Sequence, residues 1–427
     1  MDAAEEVRRQ HSVASNEKTE DDGPEAKPED TYPEGGLRAW LVAAGTACVL
    51  FSTLGYSNCF GIFQAYYSLH QLEGETPDNI SWIGSTQIIA MFITGCVAGP
   101  LFDRYGANII RPAAIVYVFA VMMTSLCKEY YQFILAQGIL TGISCGLLMV
   151  PSMSALTQYF NARRGAAMGV SMVGSSIGAV VFPIILSSLL TDTDLGFGWS
   201  FRIGGFVMLP PLLFAAFAVR SRLPPRKSDF FLPRAFLKPT YSLLVAGAFF
   251  LLTGFFVPLV YLPTYAVAKG MNESLASYLV AMINGASIPG RIIPGILGDK
   301  FGRFNLLVAA GIGTGILGFC WIKATSTAGI IVLSIAFGFT SGAIISGASI
   351  VMTQCTDDPK EVGTYMGQGI AVGSASVLVG LPAAGAFLRT YGEFDEISVF
   401  CGAMTMAGVL LTIGAKATTK EGVLGRI

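Results

Sequence analysis

The sequence predicts an all-α membrane protein, with twelve transmembrane helices in two six-helix bundles. Three observations predict it. First, hydrophobic residues make up 53% and charged residues only 13% of the 427 positions, about half the charge of a soluble domain, and mean hydropathy is +0.60. Second, from Arg38 onward apolar runs of about 20 residues alternate with short polar breaks, each run long enough for a helix to cross a ~30 Å hydrocarbon core. Third, a loop signature recurs at an offset of 196 residues. So little charge excludes a cytosolic enzyme, and so much apolar sequence excludes disorder over most of the length.

The chain opens differently. Residues 1–36 hold eleven acids against Arg8, Arg9, Lys18 and Lys27, a net of −7, with three prolines. This predicts a disordered acidic tail over 1–37. It lacks the basic start and apolar run of a signal peptide. Spans then follow near 40–67, 80–101, 109–127, 131–157, 165–190, 200–219, 241–268, 275–297, 304–322, 327–353, 362–388 and 397–416. The longest break, 220–240, contains Pro224, Pro225, Pro233 and Pro239 and divides the spans six and six. The predicted organisation is a bundle over 38–219, a linker over 220–240, a second bundle over 241–416 and a short tail over 417–427.

Lysine and arginine set the orientation. Sixteen, Arg104, Arg163, Lys300 and Arg303 among them, fall in the loops and tail on the side of the termini, against five on the other side. Both termini and the linker are therefore expected in the cytoplasm. Ten acids lie in the opposite loops, and none lies deep in a span. One charge does: Arg291, in helix 8.

Gly99-Pro-Leu101-Phe-Asp103-Arg104-Tyr105-Gly106 follows helix 2, and Gly295-Ile-Leu297-Gly-Asp299-Lys300-Phe301-Gly302-Arg303 follows helix 8. The same offset carries Gly142 onto Gly338, Gly146 onto Gly342 and Thr157-Gln158 onto Thr353-Gln354. Repeated six-helix halves with a binding site between them are a transporter architecture.

The doubled Gly-x-Leu-x-Asp-Arg/Lys-x-Gly loop resembles the signature of the major facilitator superfamily. Within it the chain resembles the monocarboxylate porter family, particularly its fungal branch, over about 33–416. Three stretches carry this: Pro33-Glu34-Gly35-Gly36 with Trp40; Gly142 through Pro151 and Tyr159-Phe160-Asn-Ala-Arg163-Arg164 to Gly178; and Gly380-Leu-Pro382-Ala-Ala-Gly385. The resemblance implies alternating access and an anion-binding role for Arg291. It also exposes departures. Where proton-coupled members carry a helix 1 lysine, a helix 8 aspartate and a helix 4 arginine, this chain has Asn58, Ser287 and Ile134. In place of the Gly-Pro signature of drug antiporters stands Gly174-Ser-Ser-Ile-Gly178.

Each candidate has a functional and a plain reading. A mid-bilayer arginine faces a cavity or snorkels, and Arg291 either meets substrate or is capped by carbonyls. Asn58, Gln87, Asn284 and Gln368, with Tyr261, are polar groups in helices that by analogy line a cavity. Buried amides also serve as interhelical hydrogen bonds. Asp103, Arg104, Arg163, Arg164, Asp299, Lys300 and Arg303 are either gating ion pairs or ordinary loop charge.

Gly-x-x-x-Gly pairs at Gly311, Gly338 and Gly369 predict close helix approach. There is no Gly-x-x-x-x-Gly-Lys-Ser/Thr loop, and the two histidines sit in no metal-ligand pattern. No catalytic residue, cofactor, metal or nucleic acid is expected. The expected partners are the bilayer and a small molecule; an accessory protein is left open.

These features predict a multi-pass secondary transporter, expected at the plasma membrane, for a small, monocarboxylate-like organic anion. The alternative is efflux of a fungal secondary metabolite, and a more distant one is a non-transporting membrane sensor. With no buried acid or histidine, the expected mode is uniport, or coupling in which the substrate brings its own proton.

Overall fold

The computed structural model describes residues 32–191, 193, 195–224, 232–356, 361–419, 421–422 and 425. The predicted disordered tail falls almost wholly outside them, as do residues 225–231 of the predicted linker. The chain divides into Met1–Tyr32, of which only Tyr32 is described, and a compact unit, Pro33–Ile427.

Among the described residues, eleven continuous helical stretches are long and apolar enough to cross a membrane. One of them, Asn79–Thr124, runs for 46 residues and breaks at Gly106, whose φ of +63° ends a helix. That break gives twelve passes among the described residues. They are α1 (Gly36–Leu69), α2 (Pro77–Tyr105), α3 (Ile110–Thr124), α4 (Tyr130–Thr157), α5 (Arg164–Thr191) and α6 (Gly196–Ala218). Then come α7 (Pro239–Ala268), α8 (Glu273–Phe301), α9 (Arg303–Cys320), α10 (Thr327–Met352), α11 (Val362–Tyr391) and α12 (Asp395–Ala417). Prolines stand inside several of them, such as Pro151, Pro289 and Pro294. Buried in a bundle, neighbouring helices can re-satisfy the backbone groups a proline frees.

Three helices differ from plain spans ending before the loop signatures. Asp103 and Asp299 stand in the last turns of α2 and α8, not in loops. The helices run on until Gly106 and Gly302, at φ +63° and +96°, stop them. α1 is not a plain helix either. It passes through a π-turn at Phe51–Gly55 and loosens at Asn58–Cys59 before resuming at Phe60. Such widened turns are frequent at functional sites.

The buried side chains form three clusters. One is drawn from Ala39 to Val219, joined by Ile350 and Met366. The others come from Leu232 to Ala415 and from Phe255 to Cys401.

The sequence repeat reappears as repeated contacts. A Cβ added at Gly142 of α4 would lie 2.6 Å from the Gln87 carbonyl oxygen of α2. One at Gly342 of α10 would lie 2.8 Å from the Ser287 carbonyl oxygen of α8, an equivalent helix pair. Between the halves, α2 meets α11 and α5 meets α8. A Cβ at Gly99 would lie 2.7 Å from the Gly363 oxygen, and one at Gly295 would lie 2.6 Å from the Gly165 oxygen. One turn deeper, Gly367 stands against Gly95 and Gly169 against Arg291. Gly95 and Arg291 are 196 residues apart, so the buried arginine occupies the position where the first half has glycine.

Candidate functional site

Between the two sets of helices lies a cavity with about 1010 Å³ of atom-free space, its open mouth included. Its wall comes from α1, α2, α4 and α5 of one half and α7, α8, α10 and α11 of the other. The lining is mostly apolar. Phe92, Phe255 and Phe256 contribute rings, and Met149, Met153, Met172 and Met352 contribute thioethers. On α7, Leu252, Phe255, Phe256 and Leu259 turn one helical face inward. The polar lining is Asn58, Ser175, Asn284, Arg291, Ser349 and Ser374, so the only charge on the wall is Arg291.

Arg291 is 5% exposed. Its Nη1 donates to the Met172 carbonyl at 2.5 Å and to the Ser175 hydroxyl, both on α5 in the other half. Its Nε is buried with no partner, and it forms no ion pair among the described residues. The carbonyl-capping reading is thus partly realised, yet the fork keeps an unspent donor beside the cavity. One turn away, the Ser176 and Ser287 hydroxyls meet at 2.7 Å across the same α5–α8 contact.

Of the other sequence candidates, Asn58 and Asn284 line the cavity with Arg291. Asn58 sits at the loosened turn of α1, its amide donating to the Leu54 carbonyl at 2.7 Å. Three candidates lie elsewhere. Gln87 is buried and donates to the Ser57 hydroxyl at 3.0 Å, the interhelical role weighed against substrate contact. Tyr261 donates to the Leu381 carbonyl at 3.3 Å and is absent from the lining. Gln368 is 1% exposed and behind the wall, while its neighbours Gly369 and Ile370 line it. Sequence spacing gave the helices but not their rotation, and these three side chains are not part of the cavity lining.

Several of the charged residues link the two halves at the face that carries the α2–α3 and α8–α9 turns. The Asp299 carboxylate accepts the backbone N–H groups of Gly165 at 3.0 Å and Ala166 at 2.9 Å, so it caps α5 from the opposite half. Arg303 donates to Asp299 at 2.9 Å and to the Asn161 carbonyl at 2.6 Å. Arg164, 6% exposed, reaches the Thr353 hydroxyl of the other half at 3.1 Å. Asp103 is buried in the last turn of α2. Arg104, Arg163 and Lys300 have exposed side chains. The two arginines of the Arg163-Arg164 pair therefore differ, and only Arg164 enters the closed face.

One residue of this face was assigned to the disordered tail. Glu34, at φ +52°, a strained value for a non-glycine residue, accepts the N–H groups of Asn161, Ala162 and Arg163 at 2.8, 2.7 and 3.1 Å. Trp40 packs edge-on against Phe160, ring centroids 5.3 Å apart. The signal was present in the Pro33-Glu34-Gly35-Gly36 motif; acidic composition masked it. Partial burial raises the Glu34 carboxyl, but the three N–H donors and Arg164 outweigh it and hold the group below its ordinary 4.5. A lowered value in the folded state means stability that is present above 4.5 and lost as pH falls below it. Replacing Glu34 by glutamine is expected to flatten the acid side of the melting-temperature profile below about pH 4.5. An unchanged profile would show that the clamp contributes nothing.

A twelve-pass chain of two repeated bundles around a central cavity has the architecture of a secondary transporter. The chain belongs to the major facilitator superfamily, whose family model matches residues 42–370. It is 46% identical over 399 residues to the aspyridones efflux protein apdF of Emericella nidulans, covering 93% of this chain and 82% of that one. It is 37% identical over 419 residues to the agnestins efflux protein AgnL12 of Paecilomyces divaricatus, covering 97% and 94%. Among solved structures, the proton:xylose symporter XylE superposes with a TM-score of 0.72 at 13% identity, over 87% of this chain and 94% of that one. That last likeness concerns the fold alone.

Proposed function

We propose that the protein exports a mainly apolar small molecule carrying one acidic or strongly accepting group, and does so by alternating access. The observation that carries this is the cavity: an aromatic- and methionine-rich wall with a single guanidinium. Cavities of 300–1,000 Å³ suit drug-sized ligands. A small monocarboxylate would satisfy Arg291 and leave most of the apolar wall unfilled. A larger amphiphile would bury its body against Phe255, Phe256 and the methionines, whose flexible thioethers tolerate varied shapes. The named efflux relatives support export of a secondary metabolite over a monocarboxylate-porter function. Arg291 is the proposed anchor, with Asn58 and Asn284 as further polar contacts. The Asp299–Arg303–Arg164 network is the proposed gate.

The positive-inside bias supports a cytoplasmic position for the Asp299 face and both termini, and the plasma membrane is the fitting site for export. Among the described residues no acid or histidine lines the cavity, which favours uniport or a proton carried by the substrate. The test is a metabolite comparison of medium and cells between a strain lacking this chain and its parent. One or more amphiphilic acids should fall in the medium and accumulate in cells. Unchanged profiles, with slower uptake of short monocarboxylates, would overturn export and favour the anion-porter reading.

A further inference from the structure

A second, smaller recess lies away from the transport cavity, where α3 begins and α6 ends. It has about 620 Å³ of atom-free space, its open mouth included, and is lined by Ala107, Asn108, Arg111, Val219, Arg220 and Ser221. Two of these are arginines, with an asparagine and a serine beside them, and no acidic residue lines it among the described residues. Arg111 is exposed, and its Nε donates to the Ala216 carbonyl at 3.3 Å. Its guanidinium carbon stands 6.0 Å from the centre of the Phe217 ring. That leaves its terminal nitrogens for another acceptor. Arg220 is exposed and has no acidic partner among the described residues.

The surface below the recess is apolar. On α3, Ile115 and Phe119 follow Arg111 at helical spacing and are 71% and 53% exposed. On α6, Phe217 and Leu213 precede Arg220 and are 60% and 55% exposed. A cationic recess at the end of two membrane-crossing helices, above two columns of exposed apolar side chains, matches an anionic phospholipid. The phosphate would sit between the arginines and the acyl chains along α3 and α6.

We infer that the α3–α6 recess is a binding site for the headgroup of an anionic phospholipid. The lone alternative for two arginines at a membrane edge is general attraction to a charged surface, and the recess predicts something general attraction does not: dependence on position. The full chain, purified in detergent after passage through vesicles of about one-fifth phosphatidylserine in phosphatidylcholine, is examined by native mass spectrometry. One phosphatidylserine should be retained in preference to phosphatidylcholine. Arg111→Gln and Arg220→Gln should each lower that retention about fivefold. Arg220→Lys should keep part of it. Arg38→Gln removes the same charge from an exposed position on the same face outside the recess, and should leave retention unchanged. Equal loss with Arg38→Gln would reduce the effect to general electrostatics and overturn the site. Displacement by glycerophosphate at concentrations comparable to the lipid's would show a site for soluble phosphates, and would overturn the lipid assignment. Arg220 is exposed, so its variants should fold; matched melting temperatures for Arg220→Gln and the parent check this.

Discussion

Replacing Arg291 by alanine is expected to cut transport about 100-fold or more, with the protein still present in the membrane. A buried cation that pairs with a substrate anion costs several kcal/mol of binding when truncated. Arg291 is 5% exposed, has an unpartnered Nε and lines the cavity. The empty protein should tolerate the change well. Removing an uncompensated buried charge offsets the loss of its two bonds to α5, so the melting temperature should hold or rise. Arg291→Lys should recover only part of the flux, because an ammonium keeps the charge without the fork. Arg291 also ties α8 to α5 through Met172 and Ser175. A substrate anion arriving at the guanidinium competes with those two acceptors. Occupancy of the cavity is thereby linked to a bond between the halves, the differential contact that a conformational response requires. Normal transport by Arg291→Ala would remove both roles. Transport and melting temperature falling together would reduce Arg291 to a structural tie.

Much of this was legible before any coordinates. Apolar run length gave the passes, because a bilayer admits few alternatives to a helix of about 20 residues. The 196-residue repeat foretold the paired contacts, since glycines that let α4 approach α2 do the same for α10 and α8. Arg291 stood out because a charge in an apolar run has no plain surface role. What the sequence hid was rotation. An amide in a span reads alike whether it faces a cavity, as Asn284 does, or a neighbouring helix, as Gln87 does. Nor could it show that Asp299 would cap α5, because that bond joins backbone groups 134 residues away, which carry no side-chain signature. Glu34 was missed because net charge is a property of a segment, and one acid within it had a different role.

Replacing Asp299 by asparagine is expected to loosen the closed face and slow turnover. The carboxylate accepts two N–H groups from the first turn of α5 and pairs with Arg303, which in turn holds the Asn161 carbonyl. Charge-assisted bonds contribute about 1.5–3 kcal/mol each, so weakening even one moves a two-state balance about 10- to 100-fold. An asparagine can still accept one N–H bond, but it loses the charge that complements the α5 dipole and Arg303. The measurement is maleimide labelling of a cysteine placed at Ser349 on the cavity wall, in a cysteine-depleted background, with reagent applied from the Asp299 side. Labelling should rise in Asp299→Asn while the transport rate falls. If both stay at parental levels, the network is ordinary loop charge. The expected asymmetry follows from where the bonds lie. The bonds join Asp299 and Arg303 to the opposite half, so on the proposed gating role their loss weakens the state in which this face is shut, and a transporter that holds that state poorly turns over slowly even when substrate still binds at Arg291.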